Sequence, residues 1–140
     1  MRNDRLLLDT VFIEALLNKR DQYHQIALNL LPTVRSAREV WITEAILTEV
    51  GNALSSVDRK AADQFIQQCY RISNIKVVTV DASLFQKALT LYRSRSDRTW
   101  GLTDCISFVV MAEQELRDAM TADRHFIQAG YHALMLDGTL

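Results

Sequence analysis

Leu6-Leu7-Leu8-Asp9-Thr10 is a three-residue apolar run stopped by an acid. Runs of the same brevity recur at Val40-Trp41-Ile42, Val77-Val78-Thr79-Val80, Ala119-Met120-Thr121 and Ala133-Leu134-Met135-Leu136. Each is flanked by polar residues and several contain β-branched side chains, the signature of short buried strands. The stretches between them, 22–35, 43–55, 59–72, 82–95, 102–116 and 124–129, carry helical periodicity. Strands that alternate with helices imply an α/β fold, a parallel sheet covered by helices on both faces. No repeat, low-complexity tract or linker divides the sequence, so residues 1–140 are expected to form a single domain. Open parallel sheets bind ligands beyond the carboxyl ends of their strands, where the strand order reverses. The ends of the apolar runs are therefore where chemistry is sought.

Composition narrows the function. The 140 residues are 49% hydrophobic and 24% charged, with four Gly and one Pro, a globular rather than a fibrous or linker-rich make-up. Cys69 and Cys105 form no CxxC or Cys/His cluster, which argues against a zinc site or a disulfide scaffold and for a reducing compartment. No apolar stretch has signal-peptide or membrane-spanning character, so the expectation is a cytoplasmic protein without a membrane partner. Sixteen basic against seventeen acidic residues leave a net charge of -1. Any attraction to nucleic acid must be local.

Four acids stand out. Asp9 and Asp123 end the first and fourth runs, and each has a plain alternative use as a helix cap. They become harder to dismiss as a pair if the first strand is central, because they then flank the reversal of strand order. Glu49 borders the face shared by Ile46, Val50, Ala53 and Val57, whereas Glu44 points away; a solvated flank is the alternative for Glu49. Asp104 falls in the first turn of the strongly apolar segment Cys105–Ala112, where the dipole favours an anion and Thr103 is available as the cap. If the four converge, each close pair repels by about 4 kcal/mol at an effective dielectric of 20, so the group must bind protons or a cation. Oxygen ligands select a hard cation, Mg²⁺ or Mn²⁺, in an open site suited to metal-assisted phosphodiester cleavage.

In this order, Leu7-Leu8-Asp9-Thr10, Leu47-Thr48-Glu49-Val50, Leu102-Thr103-Asp104-Cys105-Ile106-Ser107-Phe108 and Thr121-Ala122-Asp123-Arg124-His125-Phe126 resemble the acidic motifs of the PIN-domain ribonucleases, in particular the VapC-like toxins of toxin–antitoxin pairs. The resemblance runs from about Leu6 to Leu136, and a leader longer than many members carry precedes Leu6. It implies a five-stranded parallel sheet in the order 3-2-1-4-5, an Mg²⁺ or Mn²⁺ site, endonucleolytic RNA cleavage, and inhibition by a small antitoxin protein. Carried over, Asp9, Glu49, Asp104 and Asp123 form the catalytic quartet, with Asp9 and Asp104 the first choice as direct metal ligands. Glu49 and Asp123 contribute directly or through water. Thr10 and Thr121 could orient carboxylates, or serve only in turns and caps. A water activated by the metal would attack phosphorus in line and leave 5′-phosphate and 3′-hydroxyl ends.

His125 is not required as a base and is read as a surface or capping residue. Arg93, Arg95, Arg98 and Trp100 precede Asp104 and could hold phosphates and stack a base; the alternative is a solvated loop with Trp100 in the core. Lys19, Arg20 and Arg124 are further cations. Apolar residues Ile26, Leu30, Ile46 and Leu54 would suit a homodimer or antitoxin surface, or plain core. Two rival functions remain. In a phospho-accepting receiver domain, Asp81 after Val80 would be the modified residue. In a PIN-like binding module, the fold would persist without turnover.

Overall fold

The structure is a computed structural model that describes residues 4–137. Residues 1–3, the start of the leader, and 138–140 of the expected 1–140 domain lie outside the described residues. The elements run β1 (Arg5–Leu8), α1 (Thr10–Leu17), α2 (His24–Ser36), β2 (Glu39–Thr43), α3 (Glu44–Leu54), α4 (Arg59–Arg71), β3 (Ile75–Val78), α5 (Ala82–Ser94), α6 (Leu102–Glu113), β4 (Asp118–Met120), α7 (Arg124–Gln128) and β5 (His132–Ala133). The five strands are all parallel, in the order β3-β2-β1-β4-β5. The chain lays β2 and β3 on one side of β1, then crosses back to lay β4 and β5 on the other. β1 is central, as the resemblance implies. Leu6, Leu7 and Leu8 are at most 2% exposed, so both faces of the strand are covered. Each such side chain contributes about 1.5–3 kcal/mol by leaving water.

Four local departures have physical causes. The helix α1 is not apparent in Thr10-Val11-Phe12-Ile13, whose β-branched and aromatic residues favour strand, yet burial of Phe12, Ile13 and Ala15 where α1 packs on α2 and α3 makes it helical. The third strand covers Ile75–Val78 rather than 77–80, because the chain turns at Thr79, whose carbonyl accepts the Asp81 N–H at 3.1 Å. Only His132–Ala133 of the last region pairs, with Asp118 and Ala119 of the short β4, and Leu134–Leu136 closes into a 3₁₀ turn. The helix expected over 102–116 stops at Glu113, since Glu115 takes a left-handed conformation (φ 56°) and Leu116 N–H returns to the Met111 carbonyl at 2.8 Å.

The core explains two further expectations. Leu30, Ile46 and Leu54 are buried at 7, 0 and 2% exposure and Ile26 is half-buried, so they are core and not an exposed docking patch. The buried stripe of α3 is Ile46, Leu47, Val50 and Leu54, while Ala53 and Val57, expected on that stripe, are exposed. The helix rolls its Glu49–Ala53 side toward a cleft, described next. Trp100 and Phe126 pack edge-on against Phe108, with ring centres 5.0 and 4.9 Å away.

Candidate active site

Asp9, Glu49, Asp104 and Asp123 line one open cleft of about 520 Å³. The residues that carry them lie at the ends of elements. Asp9 follows β1, Asp123 follows β4, Asp104 is in the first turn of α6, and Glu49 faces in from the middle of α3. The positions flanking the strand-order reversal and the helix face next to it therefore meet. Thr10, Val11, Glu14, Asn52 and Ala53 complete the wall.

Hydrogen bonds hold this geometry from below. Asp9 occupies the position before α1 but its side chain makes no capping hydrogen bond to that helix. Its Oδ2 instead accepts the Thr121 hydroxyl at 2.7 Å. The same Thr121 oxygen accepts the Asp123 N–H at 3.0 Å, so one fully buried hydroxyl ties together the two strand ends. The Thr10 hydroxyl donates to Glu49 Oε1 at 2.6 Å and links the start of α1 to α3. Capping thus accounts for Thr43, which accepts the Ile46 N–H, but does not account for Asp9. Asp123 both caps α7, accepting the His125 N–H at 2.9 Å, and faces the cleft. Asp104 Oδ2 accepts the Gly101 N–H at 3.1 Å; Gly101, not Thr103, occupies the cap position of α6.

The crowding has an electrostatic signature. Burial, reinforced by the Asp104 and Asp123 charges, pushes the Asp9 carboxyl up to about 7 even though the Thr121 hydrogen bond pulls it down. Asp104 is also raised, chiefly by burial and further by Asp123, against the hydrogen bonds from His125 and Gly101. Glu14 is raised by burial and by the Asp21 and Glu49 charges. Acids that resist ionising together, lined up with open sides, have the donor chemistry of a hard divalent cation site. Such an ion would relieve the repulsion that the protein alone leaves standing.

The sequence matches the PIN domain family over residues 6–130. This chain belongs to the PIN-domain family. Among solved structures, VapC20 from Mycobacterium tuberculosis, described as a toxin that cleaves the sarcin–ricin loop, superposes with a TM-score of 0.80 at 24% identity, over 90% of this chain and 95% of that one. VapBC2 from Rickettsia felis, solved with a DNA fragment from their promoter, gives 0.60 at 14% identity, over 92% and 96% of the two chains. FitAcB from Neisseria gonorrhoeae gives 0.59 at 13% identity, over 91% and 95%. No curated protein matches the sequence.

Within this PIN domain, the sequence did not point to two polar residues of the cleft, nor to the place of a histidine beside it. Glu14 and Asn52 line the wall. The signal for each was spacing: Glu14 follows Thr10 by one helical turn once α1 is recognised, and Asn52 follows Glu49 by three residues. His125, expected at the surface or in a cap, instead places Nδ1 2.9 Å from Asp104 Oδ2 and 3.4 Å from Asp123 Oδ1.

The basic segment divides. Arg93 and Arg98 are exposed, with Arg98 Nε 3.8 Å from Asp97. Arg95 is held by a two-pronged hydrogen bond to Asp97 and lies over the Trp100 ring at 5.0 Å. Trp100 itself is 6% exposed, packs on Phe108 and donates from Nε1 to Gln128 Oε1 at 3.1 Å. The ring is buried and Arg95 lies over it, so the expected base-stacking role gives way to core packing. Asp81 is the cap of α5, accepting the Leu84 N–H at 2.8 Å, and stands outside the four-acid cleft beside Lys87. That placement and the family membership remove the receiver reading. Glu44 likewise points elsewhere, accepting the Val80 N–H and the Tyr70 hydroxyl.

Cys69 and Cys105 are buried free thiols, and no helix among the described residues is long and apolar enough to cross a membrane.

Proposed function

We propose that this PIN domain is a divalent-cation-dependent endoribonuclease, the toxin half of a toxin–antitoxin pair, acting through Asp9, Glu49, Asp104 and Asp123. The observation that carries the reading is their convergence on one cleft at the strand-order reversal, with Asp9 buried there and not spent on capping. A hydrolase that acts on a polyanion needs its negative wall neutralised before phosphate can approach. A bound Mg²⁺ or Mn²⁺ would screen the carboxylates, hold phosphate oxygens and activate water.

The chain's own part is to fix and load that wall. Asp9 and Asp104 would hold the cation, and because their proton affinity is raised, its binding would release protons. Thr121 holds the Asp9 carboxylate by its Oδ2, and Thr10 holds Glu49 by its Oε1. Arg93 and Arg98, exposed on the approach to α6, are the cations assigned to RNA phosphates.

The antitoxin partner is supported by the VapBC2 likeness and by an apolar cleft of about 370 Å³ between α1, α2 and α4, lined by Leu16, Leu17, Leu31, Phe65 and Ile72. A homodimer is supported by Phe85 and Tyr92, seven residues apart on α5 and 40 and 47% exposed. The test is incubation of purified protein with single-stranded and structured RNAs in Mg²⁺ or Mn²⁺. Metal-dependent fragments with 5′-phosphate and 3′-hydroxyl ends support the assignment, and intact RNA in both ions overturns it.

A further inference from the structure

The donors around the cleft are not all oxygens. Among the described residues, Asp104, Asp123 and His125 each offer one ligand atom such that all three lie within 4.8 Å of one another. Neighbouring ligands on an octahedral ion with bonds of 2.0–2.2 Å are about 3 Å apart. The separations from His125 Nδ1, 2.9 Å to Asp104 Oδ2 and 3.4 Å to Asp123 Oδ1, are close to that spacing. Without an ion, Nδ1–H donates to Asp104 Oδ2, with Asp123 Oδ1 slightly farther away. An ion shared by all three groups would take the place of that proton and satisfy both carboxylates at once.

The far side of the ring offers the partner that this assignment requires. A histidine that ligates through Nδ1 must carry its proton on Nε2, and ligating histidines nearly always donate that proton to an oxygen. His125 Nε2 lies 3.2 Å from Thr99 Oγ1. The ring is also held in place by its backbone, since Asp123 caps the His125 N–H and the adjacent Phe126 is fully buried. The remaining histidines are engaged elsewhere, His24 with the Ala15 carbonyl and His132 with Asp118.

We infer that His125 is a direct nitrogen ligand of the ion, alongside Asp104 and Asp123, and that the centre therefore favours a first-row transition ion such as Mn²⁺ over Mg²⁺. The inference rests on the divalent-cation reading above and adds the ligand and the selectivity. Mg²⁺ takes oxygen donors and keeps its waters, whereas imidazole suits the transition ions.

Mn²⁺ is the probe, and the full chain the sample. Pulsed electron paramagnetic resonance of the Mn²⁺-loaded protein should show coupling to a directly bound nitrogen. Labelling histidine with ¹⁵N should convert the signal, and His125→Ala should abolish it. Calorimetry should show Mn²⁺ affinity falling at least about 10-fold in His125→Ala, with Mg²⁺ affinity changed less than about 3-fold. Mn²⁺ bound in an Asp104-dependent manner without nitrogen coupling overturns the inference, as does an equal loss for both ions. Cleavage of RNA without the nitrogen signal would remove the ligand and keep the enzyme. The nitrogen signal without cleavage would keep the ligand and remove the enzyme.

Discussion

Asp9→Asn should make the metal-free protein more stable at alkaline pH. Asp9 is 5% exposed, and burial together with Asp104 and Asp123 raises its carboxyl from an ordinary 3.8 to about 7. Between those values the folded protein keeps a proton that the unfolded chain has released. The folded state then binds more protons, so stability falls as pH rises through this window, being fully present below about 4 and lost above about 7. A gap of about 3 pH units at about 1.4 kcal/mol each amounts to about 4 kcal/mol. Asparagine keeps the size and can accept the Thr121 hydroxyl, but it carries no charge to bury. Urea denaturation in chelator should therefore show Asp9→Asn more stable than wild type by about 4 kcal/mol near pH 8.5, shrinking toward nothing near pH 4. Adding a divalent ion at about 100 times its Kd should return about 2.7 kcal/mol to wild type and nothing to the variant. A stability difference that does not change with pH, or a variant that is weaker at pH 8.5, would refute the view of Asp9 as a carboxylate kept costly for its cation.

Thr121→Val removes a hydroxyl that serves both Asp9 and the Asp123 N–H, and should cost about 1–3 kcal/mol by chemical denaturation; unchanged stability would deny it the bridging role. Asp81→Ala should cost about 0.5–2 kcal/mol as a lost cap of α5, and an acyl-phosphate donor should leave the wild-type protein unlabelled; phosphate on Asp81 would restore the receiver reading. Arg93→Ala with Arg98→Ala should weaken RNA binding and flatten its log–log salt dependence by about 0.7 per lost phosphate contact. A slope equal to wild type would take both arginines off the RNA path.

How much of this was legible depends on the distance over which each feature is decided. The central strand was plain because Leu6-Leu7-Leu8 must be buried on both faces, and the six helices foreseen were placed within a few residues because their periodicity is local. The α1 helix was hidden because its residues favour strand locally and only tertiary burial of Phe12 and Ile13, with α1 packed on α2 and α3, makes helix the better choice. The early stop of α6 was hidden because no glycine marks it, Glu115 itself taking the left-handed turn. The site divided in the same way. Asp9 and Asp123 could be paired from topology, and Glu49 from its place on the α3 face. Trp100 and His125 could not, because whether a ring faces solvent, core or carboxylates depends on partners 21–28 residues away in sequence, namely Asp104, Gln128 and Thr99.

The central claim is that four acids distant in sequence work as one site, and the most direct measurement is the RNA cleavage rate of four isosteric variants beside wild type. Asp9→Asn, Glu49→Gln, Asp104→Asn and Asp123→Asn should each lower the Mn²⁺-supported rate at least about 100-fold while folding cooperatively. Wild-type cleavage by a folded Glu49→Gln or Asp104→Asn protein would contradict the claim.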